Sequence, residues 1–178
     1  NFSTRILDII AAAEFLDKNY EAPKLLVGHS ISGTVALSAA QRVPSLHAVA
    51  TIGSPSDPTD TMAKFRQYNL IRDIDDATIE IMVMGRPVRF HKSFTDNMMA
   101  QNVAADTAAL NKKLFIFHAP NDDVVSFRQA EIINGRATCD HTLIRLDDAA
   151  THLFETRKED AVFIAETLVK WFRQKPNS

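Results

Sequence analysis

The segment at positions 28–33, Gly-His-Ser-Ile-Ser-Gly, has the composition of a sharp turn that exposes a reactive serine. In such a strand-to-helix turn the nucleophile is strained and exposed, so its neighbours must be small to avoid collision. The two glycines and Ser32 meet this requirement. The amide of Ile31 would then point at a developing oxyanion, helped by the partial positive charge of a helix N-terminus. The segment therefore predicts Ser30 as a nucleophile.

The same segment also fits an ordinary tight turn with a capping serine, because short strings of this kind arise by chance in many proteins. Ser32 stands where the fully glycine form of the motif has glycine, although a hydroxymethyl group is small. His29, next to the serine, is expected to pack or hydrogen-bond locally rather than to act as the base. A catalytic role for Ser30 therefore depends on partners elsewhere in the chain.

A carboxylate and a histidine follow Ser30 in the chain order that nucleophilic catalysis on a parallel sheet uses. Asp122 lies in the loop after one predicted strand, and His152 lies in the loop after the next. His152 would accept the proton of Ser30, and Asp122 would orient the imidazole and stabilise its charged form. Asp123 is the competing acid, and it also suits a solvated loop charge or a helix cap.

A metal site is the alternative use of the same loops. His118 ends a predicted strand, and together with neighbouring loop residues it offers ligand types that zinc accepts. The candidate ligands are His118, Asp122, Asp123 and His152. Because a zinc site would leave the turn at Ser30 unexplained, we prefer the nucleophile interpretation, with no metal and no organic cofactor.

These residues need a framework, and the hydrophobic pattern predicts strands alternating with helices. Four buried runs are predicted as strands, at positions 24–27, 47–52, 113–117 and 142–146. The predicted fold class is α/β, with a mainly parallel, doubly wound sheet covered by helices on both faces. Because functional loops follow the carboxyl ends of parallel strands, Ser30, Asp122 and His152 are expected to lie at one edge of the sheet.

Helix ends and buried helix faces carry further signals. Capping boxes at Ser126–Gln129 and Thr156–Glu159 predict the starts of two helices. The last helix is expected to bury a stripe formed by Val162, Ala165, Val169 and Phe172.

The region 57–111 interrupts the alternation and is predicted to be a lid-like insertion within a single domain spanning residues 1–178. Alternating apolar residues on either side of Gly85 predict a β-hairpin flanked by helices. The insertion also carries large apolar side chains, namely Met62, Phe65, Tyr68, Phe94, Met98 and Met99. These could line an acyl pocket or form the insertion's own core, and the sequence leaves both interpretations open.

Composition narrows the classes of partner. The chain has 20 basic and 22 acidic residues spread along its length, so no basic stripe suggests nucleic acid. No apolar run approaches the roughly 20 residues that span a bilayer. Cys139 is the single cysteine and forms no internal disulfide, which favours a reducing, cytoplasmic setting. A Cys139–His141 thiol pair is an alternative, but such a cysteine is more often a packed small hydrophobe.

The strings GHSISGT, ATIGSPSDP, HAPNDDVVS and DDAATHLF together resemble the α/β-hydrolase family. The resemblance runs over residues 2–172 and is strongest to hydrolase domains that occur alone or fused to an OsmC-like domain. It assigns Ser30, Asp122 and His152 to the catalytic triad and Ile31 to the oxyanion hole. It also implies that further strands, with a second oxyanion donor, precede the first helix and are missing from this chain.

The leading hypothesis is a serine hydrolase that cleaves a small or medium ester or thioester through an acyl-enzyme. The alternative is a non-catalytic module of the same fold that binds a ligand or a partner. The intact triad favours the enzyme, and the expected absence of N-terminal strands favours the module. Expected partners are a small acyl substrate and either an OsmC-like domain or a second copy of the chain, which an unpaired sheet edge would favour.

Overall fold

The computed structural model describes residues 1–83, 85–152 and 157–174. The helices are α1 (Phe2–Asn19), α2 (Ile31–Ala40), α3 (Pro58–Gln67), α4 (Lys92–Met99), α5 (Val103–Ala108), α6 (Arg128–Arg136) and α7 (Lys158–Gln174). The strands are β1 (Leu25–His29), β2 (Ala48–Ile52), β3 (Ile71–Asp73), β4 (Thr78–Val83), β5 (Arg86–His91), β6 (Lys113–His118) and β7 (His141–Arg145).

The central sheet has the order β1-β2-β6-β7, and its neighbouring strands are all parallel. Every residue of β2 is buried, as are five of the six residues of β6. Such burial on both faces explains why these strands have continuous hydrophobic sequences rather than alternating ones. The predicted α/β class and the mainly parallel sheet are confirmed.

Helices cover both faces of this sheet. Val49, Leu114 and Ile116 point to one face, where they pack with α2, α5 and α6. Phe115 and Phe117 point to the other face, which α7 covers. Since successive side chains of a strand alternate between faces, the two layers together bury both sides of β2 and β6. Among the described residues, no helix is both long enough and apolar enough to cross a lipid bilayer.

The predicted buried stripe of α7 is wrong for Val162, Ala165 and Val169, which are exposed, and right for Phe172, which is partly buried and packs against the sheet cluster. Val162 is 54% exposed and Val169 is 48% exposed, whereas Ile164 and Leu168 are buried against the sheet. Helical periodicity permits either set of residues to face inward, and packing against the sheet selects one of them. The capping box predicted to precede this helix includes Thr156, which lies outside the described residues.

The predicted Ser126–Gln129 capping box is also wrong. Helix α6 is capped at Phe127, with no side-chain capping bond. The side chain of Gln129 is instead used in a tertiary contact. Its Oε1 accepts hydrogen bonds from the backbone N–H of Ser56 at 2.9 Å and from the Ser56 hydroxyl at 2.7 Å. This contact ties α6 to the loop after β2.

The insertion forms a second, antiparallel sheet with the order β3-β4-β5. The predicted hairpin is present as β4 and β5, whereas the short strand β3 was not predicted. The insertion packs on α1 and α2 through a cluster that includes Phe2, Ile6, Met62 and Ile79. Helix α5 closes the segment, and Val103 belongs to the main core of the central sheet.

Candidate active site

Ser30 occupies the sharp turn between β1 and α2 with φ 54° and ψ −133°. This backbone conformation is strained for a residue with a side chain and costs about 1–3 kcal/mol, so the surrounding structure must enforce it. The backbone N–H of Ser30 donates to the carbonyl of Ile52 at 2.8 Å. The carbonyl of Ser30 accepts from the N–H of Gly33 at 3.0 Å. The turn is therefore held at both its strand side and its helix side.

Close backbone approach explains the two glycines of the turn. A Cβ atom on Gly28 would lie 2.4 Å from the Cα of Gly33, and one on Gly33 would lie 1.9 Å from the Oγ of Ser54. Ser32 is exposed, so its side chain fits where a fully glycine motif would have glycine. The departure from the motif is thus accommodated without contact across the turn.

His152 lies between Ser30 and Asp122 in one continuous hydrogen-bonded chain. Its Nε2 is 3.0 Å from the Oγ of Ser30, and its Nδ1 is 2.8 Å from Oδ2 of Asp122. Because the carboxylate accepts, Nδ1 carries the hydrogen and Nε2 is left to accept from the serine hydroxyl. His152 is 4% exposed, so water competes little for these hydrogen-bonding groups. The three residues singled out from loop positions in the sequence lie together.

Asp122 is held as a buried carboxylate by hydrogen bonds from three groups, the imidazole of His152 and two backbone amides. Its Oδ1 accepts from the amides of Val124 at 2.9 Å and Val125 at 2.8 Å. Burial acts to raise the pKa of Asp122, but the hydrogen bond and charge of His152, together with the two amides, outweigh it and lower the pKa. Asp123 is exposed, and Asp122 is the acid that contacts His152.

His29 contacts the backbone of His152 from the other side of the site. Its Nε2–H donates to the carbonyl of His152 at 2.7 Å, and the two ring centroids are 4.8 Å apart. Burial lowers the pKa of His29, an effect that the hydrogen bond to the His152 carbonyl opposes and the charge of His152 reinforces. His29 is therefore a neutral group that fixes the loop carrying His152.

His118 supports the loop that carries Asp122. It is fully buried, and its Nε2–H donates to the carbonyl of Val125 at 2.7 Å. Its Nδ1 has no hydrogen-bond partner among the described residues, so a proton there would be unsatisfied. Burial lowers the pKa of His118, an effect that the Val125 bond and the charge of Asp122 oppose.

The lowered pKa of His118 predicts a loss of stability in mild acid. The unfolded chain, in which the histidine pKa is about 6.5, takes up the proton more readily than the folded chain. The free energy of unfolding should therefore fall as the pH drops below about 6.5, by up to about 1.4 kcal/mol per pH unit for each such histidine. Replacing His118 with glutamine should flatten this slope in urea titrations at about pH 7 and about pH 5.5. An unchanged slope in His118→Gln would contradict the assignment.

Gly53, at the carboxyl end of β2, is a site residue that the sequence did not single out. Its φ is +54°, and a Cβ atom there would lie 3.2 Å from Oδ2 of Asp122 and 3.3 Å from Nδ1 of His152. The absence of a side chain lets the backbone pack directly against the Asp122–His152 pair. The sequence signal that could have identified Gly53 is a glycine at the end of a buried strand. That strand, β2, pairs with β1, and Ser30 follows β1.

Replacing Gly53 with alanine should therefore damage activity more than stability. The left-handed backbone costs about 1–2 kcal/mol with a side chain present. Displacement of the Asp122–His152 pair should lower kcat/KM by roughly tenfold to a hundredfold. Gly135→Ala in α6 is the matched control, because no atom lies within 4 Å of the added Cβ. Equal activities of the two variants in an ester hydrolysis assay would refute this role for Gly53.

A cavity of about 580 Å³ opens beside Ser30 and His152. The insertion supplies much of its lining, including Met62, Phe65, Phe94 and Met98. These are four of the six apolar residues whose role the sequence left open. Tyr68, a fifth of those six residues, is instead 59% exposed. Met62 and Met98 also belong to the cluster that packs the insertion on α1, so they serve both the core and the cavity.

The alternative sites lack the required geometry. Within the described parts of the chain, no cluster of three or more His, Cys, Asp or Glu residues is arranged to hold a metal ion. His141 donates from Nδ1 to the carbonyl of Cys139 at 2.7 Å rather than activating the thiol. Burial raises the pKa of Cys139, which lowers its reactivity further.

Neither a protein-family model nor a curated protein matches the sequence. Among solved structures, the esterase domain from a Rhodothermus marinus protein is 34% identical, with a TM-score of 0.78 over 95% of this chain and 68% of that chain. Est1E from Butyrivibrio proteoclasticus is 15% identical, with a TM-score of 0.68 over 92% of this chain and 69% of that chain.

The Pyrococcus furiosus esterase Pf2001 is 20% identical, with a TM-score of 0.67 over 93% of this chain and 61% of that chain. The chain thus spans between three fifths and seven tenths of the length of these three structures. Est1E and Pf2001 share the fold, and the Rhodothermus marinus domain is also similar in sequence.

Proposed function

This chain belongs to the α/β-hydrolase family, together with the Rhodothermus marinus esterase domain, and from this premise we propose that it is a serine hydrolase. The proposed substrate is a small or medium ester or thioester, cleaved through an acyl-enzyme. One observation carries the proposal, namely that His152 hydrogen-bonds to both the Ser30 hydroxyl and the Asp122 carboxylate. The names of the structural relatives as esterases add support.

In the first half of the reaction, Oγ of Ser30 attacks the carbonyl carbon while its proton passes to Nε2 of His152. The bond to the leaving alcohol or thiol then breaks, and the leaving group takes that proton. In the second half, water gives a proton to His152 and attacks the acyl carbon. The bond between the acyl carbon and Oγ then breaks, and His152 returns the proton to Oγ, which releases the acid and restores Ser30. Such general acid–base transfer contributes about 10²–10⁴-fold in rate.

Charge develops at two places during these steps, and the site has a group for each. The imidazolium of His152 forms 2.8 Å from Asp122, whose lowered pKa keeps it ionised. The oxyanion forms near the amide of Ile31, which is the first residue of α2 and so has no acceptor within the helix. The partial positive charge of the helix N-terminus adds to this stabilisation.

Pre-steady-state kinetics test the acyl-enzyme directly. Rapid mixing with p-nitrophenyl butyrate should release a burst of about one equivalent of p-nitrophenol before steady turnover. The mass of the quenched protein should rise by one butyryl group. Turnover with no burst and no adduct would contradict the accumulation of an acyl-enzyme. Ligand binding in the cavity without any turnover by folded protein would favour the non-catalytic binding module instead.

A further inference from the structure

The hairpin β4–β5 of the insertion has one apolar face and one charged face. The register pairs Ile79 with Phe90 and Ile81 with Val88, so these four side chains share a face. On the opposite face, Glu80 forms ion pairs with Arg72 and Arg89, as strand alternation requires. The sequence of the hairpin therefore presents its apolar face to the rest of the molecule.

That apolar face forms one wall of the cavity beside Ser30. Ile81, Val88 and Phe90 all line the cavity, and Phe90 stacks on Phe94 of α4 with ring centroids 5.4 Å apart. Ile31 of α2 and apolar residues of nearby loops, among them Pro55 and Val125, also line the cavity. The insertion and the catalytic turn therefore border the same space.

Few of the residues that line the cavity are polar. Ser30, His152 and His29 are joined by hydrogen bonds, and Thr61 is a further polar residue of the lining. None of the described lining residues is acidic, and the one with a permanent charge is Arg86, which is exposed. A volume of about 580 Å³ lies within the range of sites that enclose small organic ligands. The space is therefore suited to an uncharged, carbon-rich group attached to a reactive carbonyl end.

We propose that the substrate is an uncharged ester whose larger, apolar half, of about six to ten carbons, lies in this cavity against the insertion. This inference rests on the proposed function and adds the substrate class. The insertion acts as a specificity element, since its residues supply contacts that a short ester such as an acetate would not reach. The acyl half and the alcohol half of an ester are both chemically able to fill the space.

The length of the substrate's alkyl chain is the quantity that reports on contact between the substrate and the insertion. Each methylene buried in the cavity should raise kcat/KM about fourfold, because its transfer from water is worth about 0.8 kcal/mol. Two substrate series separate the halves of the ester: p-nitrophenyl esters from acetate to dodecanoate, and alkyl acetates of the same lengths. We expect a rise of at least about 10²-fold from the shortest to the best substrate in one series, since four methylenes separate acetate from hexanoate, followed by a plateau or decline.

A bulky substitution in the cavity wall tests whether the hairpin makes the contact. Val88 lines the cavity and is 39% exposed, so Val88→Trp fills space with little strain on the core. It should reduce the ratio of kcat/KM for octanoate to that for acetate by about tenfold or more. Met82, on the opposite face of the same hairpin and 38% exposed, supplies the matched control. Met82→Trp should leave the ratio within twofold of the unmodified protein.

The outcomes separate the inference from the proposed function. A preference for the shortest esters in both series, with turnover that depends on Ser30, would overturn the cavity assignment while the serine hydrolase stands. Equal loss of the chain-length ratio in both tryptophan variants would also overturn it. No turnover in either series, with no labelling of Ser30 by a fluorophosphonate, would overturn the proposed function itself.

Discussion

Replacing Ser30 with alanine should lower kcat by about 10⁴–10⁶-fold, leaving the residual rate that the oxyanion donor and substrate binding supply. The Oγ atom that lies 3.0 Å from Nε2 of His152 is the proposed nucleophile, and no other hydroxyl hydrogen-bonded to His152 is found among the described residues. Removing Oγ leaves the strained backbone conformation of the turn unchanged, because the turn is held by main-chain hydrogen bonds. The free energy of unfolding should change by less than about 1 kcal/mol.

Ser32→Ala is the matched control for this substitution. Ser32 belongs to the same turn, has the same side chain and is exposed. Its replacement should leave kcat within about twofold, because an exposed side chain away from the site contributes little. Steady-state kinetics with one p-nitrophenyl ester compare both variants. If Ser30→Ala retained more than a tenth of the activity, the nucleophile assignment would be lost.

Replacing Asp122 with asparagine should lower kcat by about 10⁴-fold with a small change in KM. Asparagine can keep the bonds from the amides of Val124 and Val125, so the loop is preserved. Its amide nitrogen, however, would donate to Nδ1 of His152 and force the ring hydrogen onto Nε2. That tautomer cannot accept the proton of Ser30, and the stabilisation of the imidazolium is lost as well.

Asp123→Asn is the control that separates this effect from a general change of loop charge. Asp123 carries the same charge one residue away and is exposed. Its replacement should change kcat by less than about threefold. Comparable losses from the two substitutions would mean that the electrostatic field of the loop, rather than the orientation of His152, determines the rate.

The framework of the site was predictable because its signals are local. Buried runs bounded by turn residues identified the parallel strands, and the chain order of Ser30, Asp122 and His152 placed each residue after a strand. A parallel sheet brings the carboxyl ends of its strands to one edge, so loop position alone was enough to bring these residues together. The need for small residues around Ser30 was likewise predictable, since the close approach of backbone segments leaves no room for larger side chains.

The supporting contacts were not predictable because they depend on tertiary packing. The pattern of α7 allows two apolar faces, and only the sheet decides that Ile164 and Leu168 point inward. Gln129 fits a capping pattern, yet Ser56 takes its side chain. The contacts of His29 and His118 with backbone carbonyls join loops that are far apart in the sequence.

The insertion illustrates a different limit. An apolar residue looks the same in sequence whether it faces a core or a cavity, so the sequence left both alternatives open for Met62 and Met98. The structure places both residues in the packed cluster and on the cavity wall. Substrate preference is therefore the property of this chain that sequence patterns described least.

Covalent labelling tests the central claim most directly. Incubation of the protein with a fluorophosphonate, followed by intact mass measurement and peptide mapping, reports whether one serine is activated. We expect a single adduct on Ser30, none on Ser30→Ala and a normal adduct on Ser32→Ala. Folded protein that forms no adduct, or an adduct that persists in Ser30→Ala, would contradict that claim.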